Sequence, residues 1–346
     1  MYHHRAFVPL LYIITGCLLG GITVFGFARH RAHSYPNIAG VRKINLANIR
    51  QNNTTYTFIK PLLNSEYDSK EESAQQYPYL SNIQNIVNTV LHNHPNIVTG
   101  VYFRDLTNSA WTGVREEDKF VPASLLKVPM IISYYKLLET EPTLFNENIT
   151  FNGSNLNEVK NLGEPGNIQP GNAYTVKELL REMIVNSDNN ALELLYEFRK
   201  DALPTIFKDL DTPLPDNRTD IALSDYLSPQ EDSKFFLVLY NASYLDRKSS
   251  EEVLHILSET NFKDGIVAGT PPNTLVSHKF GERVVQENGV PTGQEFHDCG
   301  IIYYPGKPYF LCIMTKGNNL QEQQAVARDI SSEVFKVVSN IKPGQK

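Results

Sequence analysis

Cysteine is nearly absent from this chain of 346 residues: Cys17, Cys299 and Cys312 are its three, too few for a disulfide framework. Cys299 and Cys312 flank the turn PGKP in two strand-like runs, so they are either cross-strand neighbours or two separate thiols. Buried free thiols are the commoner outcome and the expectation here. Charge of one sign is not in large excess. Lys and Arg number 32 against 38 Asp and Glu, giving a formal net charge of −6, and no stretch is dense in Lys or Arg. Nucleic acid is therefore excluded as the main partner. No internal repeat recurs at a fixed period, which excludes solenoids and propellers. Asn-x-Ser/Thr triplets such as the one at Asn148 carry no weight in a chain so rich in Asn. What remains is an ordinary globular balance, 41% hydrophobic and 20% charged, with length for one large domain or two small ones.

One long uncharged run is present. Residues 6–28, AFVPLLYIITGCLLGGITVFGFA, hold no charge over 23 positions, enough at about 1.5 Å per residue to cross a hydrocarbon core of roughly 30 Å. Residues 1–5 then form an N-terminal tail and residues 6–28 a transmembrane anchor. A cleaved signal peptide is the rival, but no small-residue cleavage site follows Ala28. Ile14-Thr15-Gly16-Cys17 is similar to a lipoprotein cleavage box, although the apolar run continues well past Cys17. Orientation stays open on charge, because Arg5 lies on one side and Arg29 and Arg31 on the other.

Residues 29–75 are polar, rich in Asn and Ser and without sustained period, and read as a linker. The folded domain is expected over 76–346. YLSNIQNIVNTVLHNH has helical spacing, and NIVTGVYFRDL and SAWTGVREED read as two strands around DLTNS. Helical segments follow: one from Ser124, TVKELLREMIV with a Thr175–Glu178 capping box, NALELLYEF, and SPQEDSKFFLVLYNASYL. After Gly265 come three strand-like runs, TLVSHKFGERVVQ, EFHDCGIIYYP and KPYFLCIMTKG, and a closing helix. The simplest packing is a five-stranded antiparallel sheet with terminal helices on one face and an all-α lobe inserted between strands two and three.

Three short motifs carry the chemistry. In VPASLLKVPM, residues 121–130, the polar exceptions are Ser124 and Lys127, three positions apart and so on one face of a helix. Alone, Ser-x-x-Lys means little, since a capping serine and a solvated lysine produce it by chance. Ser187-Asp188-Asn189 directly follows a helix, where a polar turn is the plain alternative. His278-Lys279-Phe280-Gly281 places Lys and Gly inside a strand, which an edge strand protected by its lysine also explains.

In this order and with these separations, SLLK, SDN and KFG resemble the signature elements of the class A β-lactamases and penicillin-binding proteins: Ser-x-x-Lys, Ser-Asp-Asn and Lys-Thr-Gly. The resemblance spans about residues 76–346, and DCGIIYYPGKPYFLCIMTKG is similar to that family's last two strands. It implies an α/β (α+β) fold of the β-lactamase/DD-peptidase type and a serine hydrolase that forms an acyl-enzyme on Ser124. Lys127 is then the base for that hydroxyl, which requires burial and a nearby cation to let an amine with an ordinary pKa near ~10.4 lose its proton. Ser187 relays a proton to the leaving group. Asn189, Lys279, Phe280 and Gly281 bind substrate, and the N–H groups of Ser124 and Glu282 form an oxyanion hole. The substrates implied are β-lactams or peptidoglycan peptides, without cofactor or metal, on the extracytoplasmic side of the cell membrane.

Two departures qualify the resemblance. Phe280 stands where the family has Thr, which removes a hydroxyl that helps hold the substrate carboxylate. The family's Glu-x-x-Leu-Asn loop, source of its deacylation base, is represented only by DIALSDYLSP, in which Asp220 is the candidate base. Deacylation is accordingly expected to be slow. A competing reading is a catalytically weak cell-wall binding or interaction module that keeps the fold. A third, a metal site from His278, His297 and Asp298, lacks the ligand spacing of zinc proteins.

Overall fold

In the computed structural model, residues 56–61, 75–156, 162, 166–287 and 290–341 are described. The expected tail, the anchor at 6–28 and most of the linker lie outside them. Among the described residues no helix is long and apolar enough to cross a membrane.

The chain runs α1 (Tyr79–Asn93), β1 (Val98–Asp105), β2 (Trp111–Val114), a 3-10 turn (Ala123–Leu126) and α2 (Lys127–Leu138). Then come β3 (Asn148–Thr150), β4 (Ala173–Thr175), α3 (Val176–Val185), α4 (Asn189–Phe198) and α5 (Ala202–Asp209). They are followed by α6 (Arg218–Leu223), α7 (Pro229–Tyr240) and α8 (Arg247–Ser258). The chain closes with β5 (Val276–Glu287), β6 (Val290–Ile302), β7 (Tyr309–Gly317) and α9 (Leu320–Asn340). The main sheet has five strands in the order β2-β1-β7-β6-β5, every neighbour antiparallel.

Strict alternation in the central strand explains why both faces of that sheet are covered. Tyr309, Leu311 and Ile313 of β7 join a cluster with Leu80, Ile83 and Val87 of α1 and Val326, Ile330 and Val334 of α9. Phe310, Cys312 and Met314 join the other cluster, beneath Phe235, Phe236 and Leu239 of α7 and the rest of the helical lobe. A strand buried on both sides has no polar face, hence the near-continuous apolar run YFLCIM. The Thr175–Glu178 capping box forms as expected at the start of α3, and Ser228 with Glu231 makes a second at α7.

Four expectations change. The inserted lobe is not all-α, because β3 and β4 pair as a small ribbon within it. The helix expected over residues 228–245 ends at Tyr240, and α8, capped by Asp246, is a further helix not among those expected. Cys299 and Cys312 are not free thiols: they oppose each other in the β6–β7 register and are disulfide-bonded. Finally, part of the supposed linker belongs to the packed domain. Phe58 and Ile59 are buried in the lobe-side core. Glu251 of α8 accepts from the backbone N–H groups of Thr57, Phe58 (2.8 Å) and Ile59 (2.9 Å), and Lys60 N–H donates to Tyr240 O (2.9 Å).

Hydrogen bonds to a charged acceptor contribute about 1.5–3 kcal/mol each when buried and less at a surface. Glu251→Ala is therefore expected to destabilise the domain by roughly 1–2 kcal/mol and to release residues 56–61. Limited chymotryptic digestion should then cut at Tyr56 or Phe58 well before the rest of the domain. An unchanged digestion pattern would mean that burial of Phe58 and Ile59 suffices to hold the segment.

Candidate active site

The nucleophile candidate sits on the 3-10 turn rather than on the helix proper. Ala123 precedes it at φ 49°, a left-handed conformation that a residue with a Cβ holds only against a penalty of about 1–3 kcal/mol. In a 3-10 turn, side chains three apart eclipse, so Ser124 and Lys127 share a face more closely than on an α-helix. Ser124 is half-buried and opens into a cavity of about 620 Å³, whereas Lys127, the first residue of α2, is fully buried.

Lys127 is held by the corner that joins α3 to α4. Its Nζ donates to Ser187 O (2.7 Å), Ser187 Oγ (3.1 Å) and Asn189 Oδ1 (2.8 Å). That corner is made by Ser187 itself, at φ 51°, and by Asp188, whose carboxylate caps α4 by accepting from Ala191 N–H (2.9 Å). Thus the Asp of the triplet builds the corner, while the residues on either side of it face the lysine.

Lys279 reaches the same hydroxyl from β5. It is fully buried, and its Nζ donates to Ser187 Oγ (2.9 Å) and Phe280 O (2.8 Å). A serine hydroxyl has two acceptor lone pairs and one proton. With both lone pairs engaged by the two lysines, the Ser187 proton is directed to a third group, and the cavity is where one can enter. Ser187 can therefore pass a proton to whatever Ser124 attacks.

Gly281 is required by the approach of β5 to the nucleophile turn. A Cβ there would stand 3.0 Å from Pro122 O and 3.1 Å from Ser124 N, so any side chain would have to push the backbone of the turn away by a few tenths of an ångström. The strand thus lies directly against the turn, and Ser124 and Glu282 both line the cavity beside it. Glu282 also lines the cavity and accepts from Leu162 N–H (2.6 Å) through Oε1.

Phe280 borders the cavity yet is only 2% exposed. Its ring stacks on Phe262 with centroids 4.3 Å apart and lies 4.1 Å beneath Lys279 Nζ. A desolvated cation over an aromatic face gains about 2 kcal/mol. The residue that replaces the family's Thr therefore acts on the lysine and the core.

Asp220 is not brought to the site. It is exposed near the start of α6, where its side chain accepts from Asn217 Nδ2 (2.7 Å), and its neighbours Ile221 and Ala222 line the cavity in its place. The His residues weighed for a metal are also engaged in the core. His278 Nδ1 pairs with Asp298 (2.8 Å), and His297 Nε2 contacts Val121 O (2.8 Å).

Sequence reasoning missed Glu193, Arg218 and Arg283, which also line the cavity, among apolar side chains that include Leu192, Leu203 and Val284. Glu193 could have been found, since it lies four residues beyond Asn189 and so shares its helix face. Arg218 gives no signal in sequence; it pairs with Glu193 and stacks its guanidinium 5.0 Å over the Tyr196 ring.

Residues 82–338 match the family model described as "Beta-lactamase enzyme family". A structure of PBP-A superposes with a TM-score of 0.66 at 21% identity, over 76% of this chain and 97% of that one. A mutant PBP-A, solved as an acyl-enzyme complex with penicillin G, gives 0.65 at 22%, over 76% and 98%. A class A beta-lactamase from Bacteroides cellulosilyticus gives 0.65 at 17%, over 76% and 99%. At such identities the structural likeness carries the fold. No protein of curated function matches the chain in sequence.

Proposed function

From the premise that this chain belongs to the beta-lactamase enzyme family, we propose that it is a serine hydrolase that acylates Ser124 with β-lactams or peptidoglycan peptides. The observation that carries the reading is the convergence on Ser187 Oγ of Lys279 and of Lys127, which lies one turn after Ser124 where that serine opens into a cavity. Lys127 acts in its neutral form, giving up one of its three donated hydrogen bonds so that its lone pair takes the Ser124 proton as the hydroxyl attacks the carbonyl. The oxyanion forms between the Ser124 and Glu282 N–H groups, and Ser187 hands a proton to the departing nitrogen. Placement outside a cytoplasmic membrane, anchored through residues 6–28, belongs to the same proposal and rests on that uncharged run.

The test is intact-mass measurement after incubation with a penicillin. An adduct of the full mass of the drug should appear on the peptide containing Ser124 and vanish in Ser124→Ala. Its persistence in the alanine variant would remove the assignment.

Deacylation should be the slow step. Asp220 faces solvent, and of the two carboxylates lining the cavity Glu193 is tied to Arg218 while Glu282 accepts from Leu162 N–H. General-base assistance contributes about 10²–10⁴-fold, so its absence should give a burst followed by slow turnover. Asp220→Asn is expected to leave the steady state unchanged within about twofold, the scatter of a surface substitution. Rapid turnover without a burst in stopped-flow records would contradict this, and its collapse in Asp220→Asn would restore that residue as the base.

A further inference from the structure

Three residues that acyl transfer does not use meet at the lobe-side face of the sheet. Cys299 and Cys312 oppose each other on β6 and β7, and Asp232 approaches them from the first turn of α7. The two sulfurs and a carboxylate oxygen all lie within 4.8 Å of one another. All three residues are 0% exposed, and neither Asp232 oxygen has a hydrogen-bond partner. A carboxylate enclosed by an apolar cluster and left without a partner is costly, and a native core keeps such a group only where something compensates it.

Two thiolates and a carboxylate are donors suited to borderline and soft divalent cations of the zinc class and unsuited to hard ones. Bonds of about 2.3 Å to sulfur and about 2.0–2.2 Å to oxygen put such donors roughly 3.5–4 Å apart; the carboxylate oxygen already stands within 4.8 Å of both sulfurs, and the sulfurs, bonded to each other here, take up that spacing once reduced. We propose that Asp232, Cys299 and Cys312 form a buried site for one thiophilic divalent cation, open when the cysteine pair is reduced and closed when it is bonded. The disulfide-bonded form is the closed one. An external dithiol supplies two electrons and two protons and becomes a disulfide, leaving Cys299 and Cys312 as thiols. Binding of the cation then releases both thiol protons and the proton of the buried Asp232 carboxyl to solvent, so that two thiolates and one carboxylate face the metal.

Cobalt(II) titration of the full chain tests this, in a Cys17→Ser background so that every thiolate signal comes from the pair. After anaerobic reduction by a dithiol and its removal, the protein should take up one Co²⁺ per chain with a sulfur-to-cobalt charge-transfer band. The oxidised protein should take up none. Cys312→Ser should lose the band. Asp232→Asn, which leaves both cysteines in place, should keep the band and bind at least tenfold more weakly. The proposal fails if the reduced protein binds no Co²⁺, if the oxidised protein binds it equally, or if Asp232→Asn binds with unchanged affinity.

Discussion

Replacing Lys127 with arginine should slow acylation of Ser124 by about 10²–10⁴-fold, the range expected when a general base is lost. Arginine keeps the positive charge and the capacity to donate hydrogen bonds but does not deprotonate in proteins. The substitution therefore separates two roles that the geometry leaves joined. If Lys127 served only as a cation holding Ser187 O and Asn189 Oδ1 in place, arginine would substitute in part. If it removes the Ser124 proton, nothing in the variant does so. Lys279→Arg is the companion measurement. That residue reaches Ser187 Oγ from β5, and its replacement should weaken substrate binding more than the acylation step. Stopped-flow acylation rates decide, with melting temperatures recorded because residue 127 is fully buried. A near-normal acylation rate in Lys127→Arg would end its role as base.

Stability of the disulfide-bonded, metal-free protein should fall as pH rises from about 4 to about 8, because of Asp232. Burial alone pushes its carboxyl from the ordinary 3.8 up to about 8. Between those values the native state keeps a proton that the unfolded state has released, so the native state binds more protons and stability declines with increasing pH. The contribution is present in full below the ordinary value and lost as pH rises through about 8. Its size is on the order of 5 kcal/mol, a large part of a typical domain's stability. Asp232→Asn cannot ionise, and this part of the slope should vanish in urea midpoints measured between pH 5 and pH 8. An equal slope in both proteins would show that Asp232 is not the group responsible.

Much of the candidate site was legible because its residues lie in three short motifs whose order is independent of how the chain packs between them. Sheet alternation was similarly local, and the capping box at Thr175 is a pattern of four residues. The misses came from contacts between distant positions. Cys299 and Cys312 could be read as flanking a turn, but whether they oppose each other depends on register, which PGKP does not determine. Phe58 and Ile59 sit in a six-residue segment with no period to detect, and the carboxylate that accepts from their N–H groups, Glu251, lies almost two hundred positions away. Asp220 fits the expected place in sequence, yet Asn217 caps α6 in a way that turns its carboxyl outward and Ile221 inward.

β1 pairs with β7, whose residues are synthesised more than two hundred positions later. Contacts of such separation slow folding, because loop closure precedes any gain from the strand pairing. Ser124, Lys127 and Ser187 all leave the ribosome before β5, and the strand that presses Gly281 against the nucleophile turn must still wait for β6 and β7 to join it to β1. Acyl-transfer competence should therefore arise late and in one step. A penicillin-based label applied during synthesis would mark finished molecules and leave nascent chains unmarked.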